Sequence, residues 1–211
     1  MDVAILLFDG VTALDAVGPY EVFRCVPGVR VRFVASKAGP KTTDAGLAML
    51  VAEHKLKEVE TPDILVVPGT SRPEALLADE EAIAWIGRVD AHTKWTTSVC
   101  TGALGLGAAG LLSGKRATTH WVALELLRSF GAEPVSERFV RDGKIVTAAG
   151  VSAGIDMALA LTALEFGEAA AMTVQLAIEY NPQPPFNAGS PATAPAEIVE
   201  QLRQAYAGLE A

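Results

Sequence analysis

The chain has 211 residues, half of them apolar and a fifth charged, which is enough for one domain with a sizeable core and ordinary for a globular protein. A formal charge of −8 at pH 7, without a Lys/Arg cluster, argues against a nucleic-acid surface and for a cytoplasmic protein. Two cysteines are too few for a disulfide framework, and three histidines without close Cys/His spacing give no metal site.

In chain order, Val3-Ala-Ile-Leu-Leu-Phe8 is a continuous apolar run ending in Asp9-Gly10, the pattern of a strand buried on both faces. Met1-Asp2 leads straight into it, with no charged start and cleavage site of a leader, and no apolar stretch has the length of a membrane span. A helix is expected from Ala13 to Arg24, bent or restarted at Gly18-Pro19. Val29 to Ala35 alternates as a second strand, Ala45 to Ala52 suits a short additional one, and Asp63 to Val67 is a third buried strand stopped by Pro68-Gly69. Asp79 to His92 reads as an exposed helix. Trp95-Thr-Thr-Ser-Val99 is β-branched and strand-like, and the small-residue run after Cys100 places Leu104, Ala108 and Leu111 on one helical face.

Lys115 to Thr119 is short and strand-like, and Trp121 to Phe130 is helical. Arg138 to Thr147 carries a hairpin signal with Asp142-Gly143 at the turn. Ile155 to Phe166 is an apolar helix, with a second from Glu168 to Tyr180 after a break at Gly167. The prolines of residues 181–193 forbid regular structure, and a last helix is expected from Pro195 to Leu209. No internal repeat and no second domain is visible, so residues 1–211 read as one α/β unit: a mostly parallel sheet with helices on both faces, plus a β-hairpin.

In such sheets ligands bind outside the carboxyl ends of the strands. That edge gathers Asp9-Gly10, Pro68-Gly69-Thr70, Cys100-Thr101-Gly102 and Ala148-Ala-Gly150. Cys25, before Pro27-Gly28 at a helix end, reads as a packed thiol. Cys100 stands instead at a strand-to-helix corner, where a helix N-terminus favours negative charge and depresses a thiol pKa. Sharp nucleophile turns of this kind need small neighbours, and Gly102 supplies one.

The segments Ser98-Val-Cys-Thr-Gly102 and Lys115-Arg-Ala-Thr-Thr-His-Trp121 resemble the ThiJ/PfpI superfamily, relatives of the class I glutamine amidotransferases, and within it the isonitrile (isocyanide) hydratase branch. Phe8-Asp-Gly-Val, Leu14-Asp-Ala-Val-Gly-Pro19, Val67-Pro-Gly69, Ala153-Gly-Ile-Asp156 and the tail from Tyr180 to Pro191 carry the resemblance over nearly the whole chain, in order. It implies a flavodoxin-like three-layer sandwich, usually a homodimer, with a cysteine nucleophile and an acid that hydrogen-bonds the sulfur. The matching positions are Cys100 and Asp15. From the residues alone, Thr12-Ala-Leu-Asp15 also fits a helix capping box; the resemblance favours the acid.

The site expected on this basis has Cys100 and Asp15 as catalytic residues. Backbone N–H groups of Thr101, Gly69 and Thr70 form an oxyanion or substrate-binding set. His120, Gly150, Val151 and Phe186 are pocket residues, the Phe186 loop covering the opening. His120 has no acid two residues later, so no Cys-His-Glu triad is completed there. The implied chemistry is hydration of an organic isocyanide to an N-substituted formamide through a covalent thioimidate, with a small-molecule substrate and neither metal nor organic cofactor. Alternatives are a metabolite or redox sensor related to the sensing half of AraC-type regulators, and a glyoxalase-type enzyme of the same superfamily.

Overall fold

The computed structural model describes residues 1–207. In chain order the elements are β1 (Asp2–Leu6), α1 (Ala13–Phe23), β2 (Arg30–Ala35), β3 (Gly39–Thr42), β4 (Ala48–Ala52), β5 (His54–Lys55) and β6 (Ile64–Val67). There follow α2 (Glu74–Leu77), α3 (Glu80–Asp90), β7 (Trp95–Val99), α4 (Gly102–Ala108), β8 (Arg116–Ala117) and β9 (Glu133–Pro134). The last elements are β10 (Phe139–Asp142), β11 (Ile145–Ala148), α5 (Ala153–Phe166), α6 (Glu168–Ala177) and α7 (Ala196–Ala205).

The main sheet has seven strands in the order β10-β11-β7-β6-β1-β2-β5. All neighbours are parallel except the β10–β11 hairpin, which turns at Asp142-Gly143 with Gly143 at φ 66°. Every residue of β6, β7 and β11 is buried, which is why these strands read as unbroken apolar or β-branched runs rather than alternating ones. In register, Ile5 sits beside Val66, Val66 beside Thr97, and Ser98 beside Thr147. The chain builds outward from β1 through β2 to β5, then returns to add β6 on the other side of β1. Strand order reverses there, and the crevice at the carboxyl ends of β1, β6 and β7 is where this architecture places a ligand.

Helices fall into two packed groups, α1 with α5 and α6, and α2 and α3 with α4. Opposite directions of right-handed crossover put these groups on opposite faces of the sheet, giving three layers as expected. The helix α1 is not broken at Gly18-Pro19: both are buried within it. A Cβ on Gly18 would press on Ile155 at 3.1 Å and one on Gly154 would meet Pro19 at 3.2 Å. Mutual seating of α1 and α5 thus outweighs the hydrogen bond Pro19 cannot donate. The stretch Trp121–Phe130 is helical but forms two tight 3-10 segments, Trp121–Ala123 and Glu125–Phe130.

The helix α3 buries Ala82, Trp85, Ile86 and Val89, so only its outer face is exposed. Asp79 caps it, accepting from the Ala82 N–H at 3.0 Å. The residues 181–187 lack helix and strand. Of the expected last helix, Gly208 and Leu209 lie outside the described residues. Among the described residues no helix is long and apolar enough to cross a membrane.

Candidate active site

At the end of β7 the chain turns through Cys100, whose φ of 57° lies in the left-handed region; for a residue with a Cβ this is strained by on the order of 1–3 kcal/mol. The surroundings over-determine the turn. The Cys100 N–H donates to the carbonyl oxygens of Ala148 and Ala149 at 3.1 and 3.0 Å, and the Thr119 hydroxyl donates to the Cys100 carbonyl at 2.7 Å. Gly102 permits the close approach of the next corner, because a Cβ there would overlap the Val67 carbonyl oxygen. Gly69 does the same from the other side: a Cβ on it would lie 2.5 Å from the Thr101 nitrogen.

Asp15, on the first turn of α1, is fully buried. Its Oδ2 accepts from the Gly69 N–H at 2.9 Å. The alternative role as a capping box is absent: Thr12 makes no side-chain cap and gives its hydroxyl to Asp44 Oδ2 at 2.6 Å. Asp15 Oδ1 has no nitrogen or oxygen partner. The Cys100 thiol makes no hydrogen bond to Oδ1, but it is near enough to lower the carboxyl's pKa. Burial, opposed by the Gly69 and Cys100 donors and reinforced by the Asp44 charge, raises the Asp15 pKa to about 7.

The helix-end position of Cys100 predicts a depressed thiol pKa, and its surroundings in the structure act in the opposite direction. Cys100 is 5% exposed, and burial followed by repulsion from Asp15 pushes the thiol up. N–H donors from Val151 and Thr101 oppose this and are outweighed. The helix that follows has only seven residues, and helix-end charge stabilisation falls far short of the cost of burying a thiolate. The sulfur and the carboxyl therefore form a buried pair in which a single negative charge is the most the pocket accommodates readily.

A second expectation is corrected at Gly69 and Thr70. Their N–H groups are not free for an oxyanion: Gly69 donates to Asp15, and Thr70 donates to Thr101 Oγ1 at 2.8 Å. The Thr101 hydroxyl in turn donates to the Thr70 carbonyl at 2.7 Å. These groups hold the β6 and β7 corners in register. The backbone N–H groups that oppose the rise in the thiol pKa are those of Thr101 and Val151, the latter at a strained φ of 34°.

Above the sulfur lies a small chamber of about 100 Å³, lined by Cys100, Thr101, Thr70, His120 and Val151 together with Thr12, Asp44, Ser71 and Tyr206. Asp15 and Gly69 stand behind it. Gly150 does not form its wall but lies under the His120 ring, where a Cβ would come within 2.7 Å of Cδ2. Phe186 is 78% exposed and lines no part of the chamber; the cover comes from Tyr206, just beyond α7, whose ring lies 6.1 Å from that of His120. His120 Nδ1 accepts from the Val122 N–H at 3.4 Å, and burial lowers its pKa, so it is neutral at pH 7. Glu125 is exposed and paired with Arg128, and among the described residues no acid pairs with His120. Asp44 and Tyr206 escaped the sequence reading, since neither sits in a strand-end motif. Among the described residues no group of His, Cys, Asp and Glu side chains is placed to hold a metal ion.

The chain is 44% identical over 204 residues to the isonitrile hydratase of Pseudomonas putida, covering 97% of this chain and 89% of that protein. It is 28% identical over 180 residues to the HTH-type transcriptional regulator CdhR of Pseudomonas aeruginosa, covering 82% of this chain but only 53% of the regulator. A crystal structure of a ThiJ/PfpI family protein from Pseudomonas syringae superposes with a TM-score of 0.95 at 40% identity, covering 99% of this chain and 86% of that one. Residues 1–164 match the DJ-1/PfpI family, and the chain belongs to that family.

Proposed function

We propose that the protein hydrates an organic isocyanide to an N-substituted formamide. The observation that carries the reading is a strained cysteine beside a buried carboxyl of raised pKa, at a chamber of about 100 Å³. The similarity to a full-length isonitrile hydratase supports it.

The chemistry follows from the electrostatics. A buried thiol of raised pKa is a poor nucleophile until its proton has somewhere to go, and Asp15, titrating at about 7, is present in part as a carboxylate at neutral pH. As the terminal isocyanide carbon meets Sγ, the thiol proton passes to Asp15 and the S–C bond forms. Asp15 then returns the proton to the same carbon, giving a thioimidate, RN=CH–S–Cys100. Val151 and Thr101 N–H groups steady the sulfur while it is charged. In the second half Asp15, ionised again, takes a proton from water as its oxygen attacks the thioimidate carbon. The C–S bond breaks, nitrogen gains a proton, and RNH–CHO leaves with the thiol restored. This is nucleophilic and general acid–base catalysis by two side chains.

The reading includes a cytoplasmic homodimer. Supporting the dimer are two large apolar side chains one turn apart on α6, Met172 at 59% and Leu176 at 80% exposed; light scattering on purified protein reads the assembly directly. The decisive assay mixes purified protein with a simple alkyl isocyanide and measures the formamide by NMR. Formamide production abolished in Cys100→Ala supports the assignment; no formamide from any alkyl or aryl isocyanide overturns it.

A further inference from the structure

Behind His120 lies a second cavity of about 370 Å³. It shares His120 and Val151 with the chamber over Cys100, so those two residues form the partition between them. We propose, resting on the isocyanide reading above, that this cavity receives the N-substituent of the substrate, and that His120 sets how large that substituent can be.

Size decides the first point. An engineered apolar cavity of about 150 Å³ binds benzene, and the chamber over Cys100 offers about 100 Å³. It holds the slender isocyano group with a methyl-sized appendage and excludes a ring. The second cavity falls within the roughly 300–1,000 Å³ range of small-molecule pockets. With the isocyanide carbon at Sγ, a ring on nitrogen fits the protein only by passing the imidazole.

Chemistry decides the class. The walls include Trp121, Leu124 and Pro191 as apolar surface and Ser136, Arg138 and Ser152 as polar groups. Arg138 supplies no free charge for an anion: its Nε donates to Asp156 Oδ2 at 2.6 Å and its Nη2 to Ser152 Oγ at 2.9 Å. Glu137, also on the wall, is paired with Arg116 at 3.3 Å. A wall whose charges are closed on one another suits a neutral cycloalkyl or aryl group. The imidazole is an apt partition because burial keeps it neutral and the ring lies against Gly150, where no side chain backs it.

The test uses full-length protein and two probes, methyl isocyanide and cyclohexyl isocyanide. Ser136→Trp, which fills the second cavity away from the sulfur, is expected to lower the cyclohexyl-to-methyl ratio of kcat/KM by about tenfold or more. His120→Ala, which removes the partition, is expected to move the same ratio the other way; it keeps the question decidable should the Trp variant fail to fold. A ratio unmoved by either variant, while wild-type protein turns over both probes, overturns the subsite and leaves the isocyanide reading standing: the substituent then projects past Tyr206 into solvent. Wild-type protein that turns over methyl but not cyclohexyl isocyanide overturns the subsite alone; wild-type protein inert to both probes and to every aryl isocyanide overturns the parent reading and this one with it.

Discussion

The Gly69 amide donates to the Oδ2 of Asp15 at 2.9 Å, across 54 residues of sequence. That bond ties the β6 corner to α1 and leaves Oδ1 without a hydrogen-bond partner among the described residues. Asp15→Asn retains an acceptor for Gly69 but cannot shuttle a proton. It is expected to fold with an unchanged far-ultraviolet circular dichroism spectrum and to lose about a hundredfold or more in kcat, the scale of a lost general base. A rate close to wild type in Asp15→Asn removes this carboxyl from the mechanism.

Asp15 also makes stability depend on pH. Its folded-state pKa is raised from 3.8 to about 7 by burial, so the folded protein holds this proton more tightly than the unfolded chain. The sign follows: the favourable contribution is full below the unfolded value and is lost as pH rises through about 7. At about 1.4 kcal/mol per pKa unit the change amounts to roughly 4 kcal/mol. Urea melts of wild type and Asp15→Asn at pH 4 to 8 are expected to converge or cross, the wild type losing ground as pH rises.

The rate carries the same signature. Catalysis needs one proton shared by thiol and carboxyl, so kcat/KM is expected to fall on the acid side as Asp15 takes up its proton near pH 7. The nearby Asp44 charge holds that pKa up. Asp44→Asn is therefore expected to move the acid limb to lower pH, measured as the midpoint of a pH–rate profile.

Strain at Cys100 gives a further expectation. Its φ of 57° is one that glycine adopts freely, and the left-handed conformation disfavours a Cβ by about 1–2 kcal/mol. Cys100→Ala and Cys100→Gly should both be inactive. The Gly variant should be the more stable of the two by about 1 kcal/mol in denaturant melts, a difference absent if the turn is unstrained in solution.

Close packing at the corner gives the last. A methyl group on Gly102 overlaps the Val67 carbonyl oxygen, a backbone atom with nowhere to move. Gly102→Ala is expected to destabilise by about 3 kcal/mol or more, with misplacement of the nucleophile. Gly110, where a Cβ meets nothing within 4 Å but φ is 78°, is the comparison: its Ala variant should lose only about 1–2 kcal/mol and keep full activity.

Much of this architecture is legible from residue order alone because parallel strands buried on both faces announce themselves. Val3 to Phe8, Asp63 to Val67 and Trp95 to Val99 each mark a strand whose end belongs to one edge. The β10–β11 hairpin is equally clear from Asp142-Gly143. What escapes has local reasons. Strand β3 contains Gly39 and Pro40, residues that disfavour strands, and pairs only with β4. The thiol pKa is misjudged because helix position is visible in sequence and burial is not. Thr70 and Gly69 look like free donors until their partners, Thr101 and Asp15, are in place. Tyr206 reaches the chamber from the far end of the chain, a contact that no periodicity encodes.

Each partner of the sulfur follows a different strand: Asp15 after β1, Thr101 after β7, Val151 after β11. No fragment of the sheet holds two of them in place without the strands between. Reactivity at Cys100 is thus an emergent property of the closed topology, and a partly folded chain carries an ordinary cysteine. Catalytic competence and global cooperativity should therefore appear and vanish together, which makes turnover itself a sensitive gauge of native architecture.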